Sequence, residues 1–179
     1  AVTNLSYLNE ASVTNMSNMF NNFGYRAMTT FNLGDFDTSN VTNMYRMFSN
    51  CGNKLMTSLN LGTNFNTGNV TDMQAMFNKC GEGALTELDL SSGTDAKNTA
   101  QFDTSNVTDM RSMFQYCGKT AMQKLNLGNN FDTTNVKDMS NMFQFCGREV
   151  MSKLDLGDRF DTSNVTDMSY MFNATGLNS

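Results

Sequence analysis

The sequence predicts a repeat solenoid of about six units, each about 29 residues long and each supplying one short parallel β-strand and one short helical or 3-10 turn. Three observations predict it. The block FDTSNVTDMRSMFQYCG at residues 102–118 recurs from end to end, its copies are separated by nearly constant steps, and an alternating leucine pattern follows each copy at a fixed distance.

In chain order, the units begin near Leu8, Phe36, Phe65, Phe102, Phe131 and Phe160, giving steps of 28, 29, 37, 29 and 29 residues. The first copy, LNEASVTNMSNMFNNFG, is degenerate, and the later ones read FDTSNVTNMYRMFSNCG, FNTGNVTDMQAMFNKCG, FDTTNVKDMSNMFQFCG and FDTSNVTDMSYMFNATG. The 37-residue step holds a loop insertion at 91–101, rich in Gly, Ser, Thr and Asn, with Asp95 and Lys97 as a contact point. Residues 1–179 are read as a single repeat domain, and because both ends fall inside the repeat the chain is expected to be a segment of a longer protein.

Each unit carries a pattern such as MTSLNL, LTELDL, MQKLNL or MSKLDL, with MTTFNL in the earliest copy. Leucine alternating with Asn or Asp has the two-residue period of a half-buried strand, so one strand is placed at each SLNL, ELDL, KLNL and KLDL. Glycine follows most of them, at Gly34, Gly62, Gly128 and Gly157, and turns the chain away. In the other half of the unit, Val107, Met110, Met113 and Phe114 typify spacings of three, three and one. That spacing is read as a short helical or 3-10 turn, capped by the Asp before it (Asp72, Asp109, Asp138, Asp167, or Asn43) and ended by Cys-Gly.

One such unit cannot stand alone. Ordering its backbone costs about 1–2 kcal/mol per residue, which its few apolar side chains do not offset. Stacking is therefore required, and with strands about 4.8 Å apart six rungs make a rod roughly 25–30 Å long.

A net charge of −5 and the lack of a basic cluster argue against nucleic acid as a partner. No apolar run reaches the length of a membrane span. With 14 Phe and 16 Met the chain has the apolar content of a folded protein, and with no His it offers no triad or metal constellation, so no catalytic residue and no enzyme are expected.

The conspicuous residues fall into columns. Cys51, Cys80, Cys117 and Cys146 share a column with Phe23 and Thr175, which marks a buried apolar slot of free thiols. Asp37, Asn66, Asp103, Asp132 and Asp161 form one acidic column, and Asn43, Asp72, Asp109, Asp138 and Asp167 another. Calcium takes such oxygen ligands and is the alternative there, but Asn replaces Asp once in each column, which favours capping and turn bonding. No other cofactor is expected. Asn40, Asn69, Asn106 and Asn164 stand in N-V-T, a glycosylation triplet, yet Asn135 holds the same place in N-V-K, so the five are read as a ladder of amides bonded to the backbone of the next rung.

Specificity is expected where copies differ. On the strand face these are Thr30, Asn32, Ser58, Asn60, Glu87, Asp89, Lys124, Asn126, Lys153 and Asp155, a surface shifting from neutral to acidic to basic. On the turn they are Tyr45, Arg46, Arg111 and Tyr170, with Ser112 beside Arg111.

FDTSNVTDMxxMFxxC followed by LxxLDL resembles the BspA-like leucine-rich-repeat surface proteins of bacteria, a Mycoplasma-type repeat domain of unknown function, from about Leu8 to Phe172. The unit here is longer than that family's usual repeat of roughly 25 residues. The resemblance implies a leucine-rich-repeat-like right-handed coil, an extracellular place on the bacterial cell surface, and a protein or glycan partner on a host or neighbouring cell. It leaves a passive stalk as the alternative to an adhesive role.

Overall fold

A computed structural model describes residue 5 and residues 12–91 and 102–176. Leu8 and the insertion apart from Ser91, including Asp95 and Lys97, lie outside the described residues.

Five three-residue strands are present: β1 (Thr30–Asn32), β2 (Ser58–Asn60), β3 (Glu87–Asp89), β4 (Lys124–Asn126) and β5 (Lys153–Asp155). Each puts a central Phe or Leu inward and polar neighbours outward, as the alternating pattern requires. They make two small parallel sheets, β1-β2 and β3-β4-β5, in a register one repeat apart: Phe31 faces Leu59, and Leu88, Leu125 and Leu154 align. The ladder is interrupted between β2 and β3. Elsewhere in the unit the stacking is continuous, because parallel bridges join Asn15, Asn43, Asp72, Asp109, Asp138 and Asp167 in turn.

The expected helical or 3-10 turn does not form, and no helix occurs among the described residues. The hydrogen bonds explain why. In the unit containing Phe114, the N–H groups of Met110, Ser112, Phe114 and Tyr116 donate to Asp138, Ser140, Met142 and Gln144 of the next unit, at 2.8–3.0 Å. Those of Met113, Gln115 and Cys117 donate three residues back, to Met110, Ser112 and Phe114, at 3.0–3.2 Å. Alternate donors thus leave the unit, whereas an α-helix needs every one for its own i−4 carbonyl. The result is three consecutive tight turns. Left-handed backbone at Ser112 (φ 55°), Tyr116 (φ 58°) and Gly118 (φ 50°) redirects the chain within each unit, and the corresponding residues of the other units share that conformation.

The core lies between the strands and these turns. Phe48, Phe77, Phe114 and Phe143 form a stack with centroids 5.4–5.5 Å apart and planes within 5°. A second stack runs through Phe65, Phe102, Phe131 and Phe160 at 6.2–6.4 Å. Met44, Met47, Met73, Met76, Met110, Met113, Met139 and Met142 fill the remaining space and are fully buried. Aromatic pairs at such spacing add attraction beyond their burial, so each unit gains most from being covered on both sides. The last unit is not so covered: Met168 and Phe172 are 47% and 49% exposed. No helix among the described residues is long and apolar enough to cross a membrane.

Candidate binding face

Each unit devotes its repeated polar residues to holding the backbone. Asp and Asn accept from the N–H two residues on at three places per unit: Asp103 from Ser105, Asp109 from Arg111 and Asn126 from Gly128, at 2.9, 3.0 and 3.1 Å, with equivalents in other units. Where such a bond meets an ionised oxygen in the last units, it holds the carboxylate below its usual range. Asp161 is held by the Ser163 N–H, Asp167 by the Ser169 N–H, and Asp132 by the hydroxyl and N–H of Thr134. The two acidic columns weighed for calcium are occupied in this way, and no group of three carboxylates or thiols among the described residues converges as a metal site does.

The asparagine amides bond between units, but backward. Asn69, Asn106, Asn135 and Asn164 donate through Nδ2 to Ser39, Gly68, Ser105 and Thr134 of the preceding unit at 2.7–2.9 Å. Asn40 is exposed at the equivalent place. Cys51, Cys80, Cys117 and Cys146 are buried and unbridged. Burial pushes the Cys51 and Cys146 thiols far up, since a thiolate there would lose its water.

The variable strand-face residues are turned to solvent, exposed or half-buried from Thr30 to Asp155. Their charges largely answer one another. Lys124 Nζ pairs with Glu87 at 2.5 Å, Lys153 with Asp155 at 3.1 Å, and Asn126 Nδ2 donates to Asp89 at 3.1 Å. Asn32, Asn60, Asp89, Asn126 and Asp155 also accept from the N–H two residues on, so this column serves the strand exit as well as the surface. Thr30 and Ser58 complete the neutral end.

On the turn, Arg111 clamps Asp109 at 2.7 Å and reaches Asp138 at 3.4 Å. Arg46 lies 5.1 Å over the Tyr45 ring, and Tyr170 is 65% exposed in the uncovered last unit. No hydrogen bond, ion pair or ring contact joins the turn set to the strand set among the described residues.

The family described as "Mycoplasma protein of unknown function, DUF285" matches residues 2–87 and again residues 84–179. The chain belongs to this family. No curated protein and no solved structure matches it. In this member of the family, two sets of residues escape the sequence reading. The first is a column of buried threonines: Thr38, Thr67, Thr104 and Thr133 are at most 1% exposed, and each donates Oγ1 to a carbonyl of the next unit at 2.7–2.8 Å. Strict repetition of Thr within FDTSN was the available signal, masked by its polar, turn-like surroundings. The second set surrounds the rings of Tyr116 and Phe145, which stack at 4.8 Å. Lys79 and Lys119 lie 5.5 and 5.8 Å over Tyr116, and Arg148 lies 5.4 Å over Phe145. Two of the three cations follow their ring in a shared aromatic-Cys-Gly-cation pattern, Tyr116 to Lys119 and Phe145 to Arg148, which was the available signal; Lys79 comes from the preceding unit.

Proposed function

We propose that this chain is a non-enzymatic module of a bacterial cell-surface protein of the BspA-like leucine-rich-repeat class, wound as a right-handed solenoid. Its extended face binds a protein or glycan on a host or neighbouring cell. The handedness follows from the strong preference of parallel strand connections for that hand. The observation that carries the reading is the division of labour within each unit: repeated Asp hold their own unit's turns, repeated Asn, Thr, Phe, Met and Cys are committed to neighbouring units, and the residues that differ between units, Ala75 and Ser140 apart, reach solvent. Extended surfaces with a constant frame and variable positions are how repeat proteins recognise macromolecules.

The test displays the purified chain against host cells, matrix proteins and glycans, beside a variant whose variable strand and turn residues are replaced by Ser or Thr. Binding by the first and not by the second supports the reading; uniform lack of binding overturns it in favour of a stalk. That second reading, a passive spacer presenting another domain, draws on the mutual neutralisation of Lys124 with Glu87 and Lys153 with Asp155.

A further inference from the structure

Tyr116, Phe145 and their three cations form a patch that the fold itself does not require. Lys79, Tyr116 and Phe145 occupy one left-handed position in three consecutive units, with φ 56°, 58° and 59°. Asn22 and Asn50 fill that position earlier in the chain. Asn tolerates this conformation, whereas larger side chains are strained in it. Residues kept against local preference are a sign of use.

The charge around them is uncompensated. Lys124, Lys153, Arg111 and Arg159 all pair with carboxylates. Lys79, Lys119 and Arg148 have no ion pair among the described residues and lie over rings instead. A ring attracts a cation without neutralising it. The nearby carboxylates do not change this: Glu82 accepts from Asn53 Nδ2 at 2.9 Å, and neither it nor Glu149 comes within ion-pair distance of the three cations. In a chain of net charge −5 this is a local cationic strip spanning three units, about 10 Å at the ladder spacing.

We propose that this strip binds an acidic polysaccharide, with the three cations, held in line over the rings of Tyr116 and Phe145, meeting carboxylate or sulfate groups on successive sugars. The spread over three units selects a polymer over a single anion. Single-stranded nucleic acid fits worse. Stacking needs open ring faces, and here Tyr116 is covered by Phe145 and by two lysines. The proposal rests on the reading of the chain as a surface-binding module but uses a different patch from the strand and turn sets.

The full chain is passed over immobilised heparin and polygalacturonate, with neutral dextran and oligo(dT) alongside, in moderate salt. Retention on an acidic polymer, released by added salt and absent on dextran and oligo(dT), is expected. Lys119→Gln with Arg148→Gln lowers affinity at least about ten-fold, and Tyr116→Asn, which suits the left-handed backbone, lowers it with the fold intact. Lys137→Gln with Arg26→Gln, an equal loss of two cations elsewhere, leaves binding unchanged. The proposal is overturned by no retention on either acidic polymer, by equal retention on oligo(dT), or by equal loss in the Lys137→Gln with Arg26→Gln control and the patch variants. If cells bind the chain while neither polymer does, only this proposal falls and the surface-module reading stands.

Discussion

Replacing Thr38 by Val isolates what the buried threonine column contributes. Thr38 is 1% exposed, and its Oγ1 both donates to the Asn66 carbonyl at 2.7 Å and accepts from the Asn66 N–H at 2.8 Å. Valine keeps the shape and removes both bonds, leaving two backbone groups of the next unit without partners. A buried group so orphaned costs about 1–3 kcal/mol, and because Asn66 is half-buried water recovers part of it, so the total comes to about 2 kcal/mol. Thr38→Ser keeps the hydroxyl and loses one methyl group, at about 1 kcal/mol. With a urea slope of roughly 2 kcal/mol per molar, the Val variant's midpoint falls by about 1 M and the Ser variant's by about half that. Repeat arrays can open locally, so amide exchange at Asn66 is read as well. Protection there drops in the Val variant and persists in the Ser variant. A Val variant as stable as the Ser variant, with Asn66 still protected, would refute the reasoning.

Other substitutions probe the stack, the backbone and the thiols. Phe143→Ala, in a side chain buried between two rings, costs about 3–5 kcal/mol in denaturant titrations, whereas Phe172→Ala in the uncovered last unit costs about 1. Ser112→Gly relieves a left-handed residue and is neutral to stabilising by about 0.5 kcal/mol, while Gly62→Ala, whose new Cβ would collide with the Gly34 carbonyl, loses about 2 kcal/mol or more in the same assay. The raised thiol pKa values mean that the folded chain holds protons the unfolded chain releases above its ordinary value near 9.0. Their contribution is complete below that pH and is lost as pH rises, so melting temperature falls from about pH 9 upward and falls less steeply in a variant with all four Cys replaced by Ala.

The strands were legible because Leu59, Leu88, Leu125 and Leu154 sit in an unambiguous two-residue alternation with polar neighbours. The turns were not. Spacings of three, three and one between Val107, Met110, Met113 and Phe114 place side chains on one side of a helix, and they do the same on successive tight turns; only the destination of each N–H separates the two. Asn18, Asn22, Asn50 and Asn141 at left-handed positions were the local hint, diluted by Arg46, Tyr116 and Phe145 in equivalent places. The asparagine amides were read as bonds to the following unit, but chain direction in three dimensions sends them to the preceding one. Within the patch, Lys119 and Arg148 stand three residues after Tyr116 and Phe145, whereas the ring stack and Lys79 join residues 29 and 37 apart and became visible only when units were stacked in register.

The central claim is that each unit lies parallel on the next, one repeat on, with backbone donors alternating between the unit and its neighbour. Cross-unit nuclear Overhauser contacts on the labelled chain test it most directly. The account predicts contacts between the amide of Met44 and the backbone of Asp72, and likewise Met110 with Asp138 and Met139 with Asp167, matching bonds of 2.9–3.0 Å. A run of helical contacts four residues apart through Met110–Cys117, without those cross-unit contacts, would contradict it.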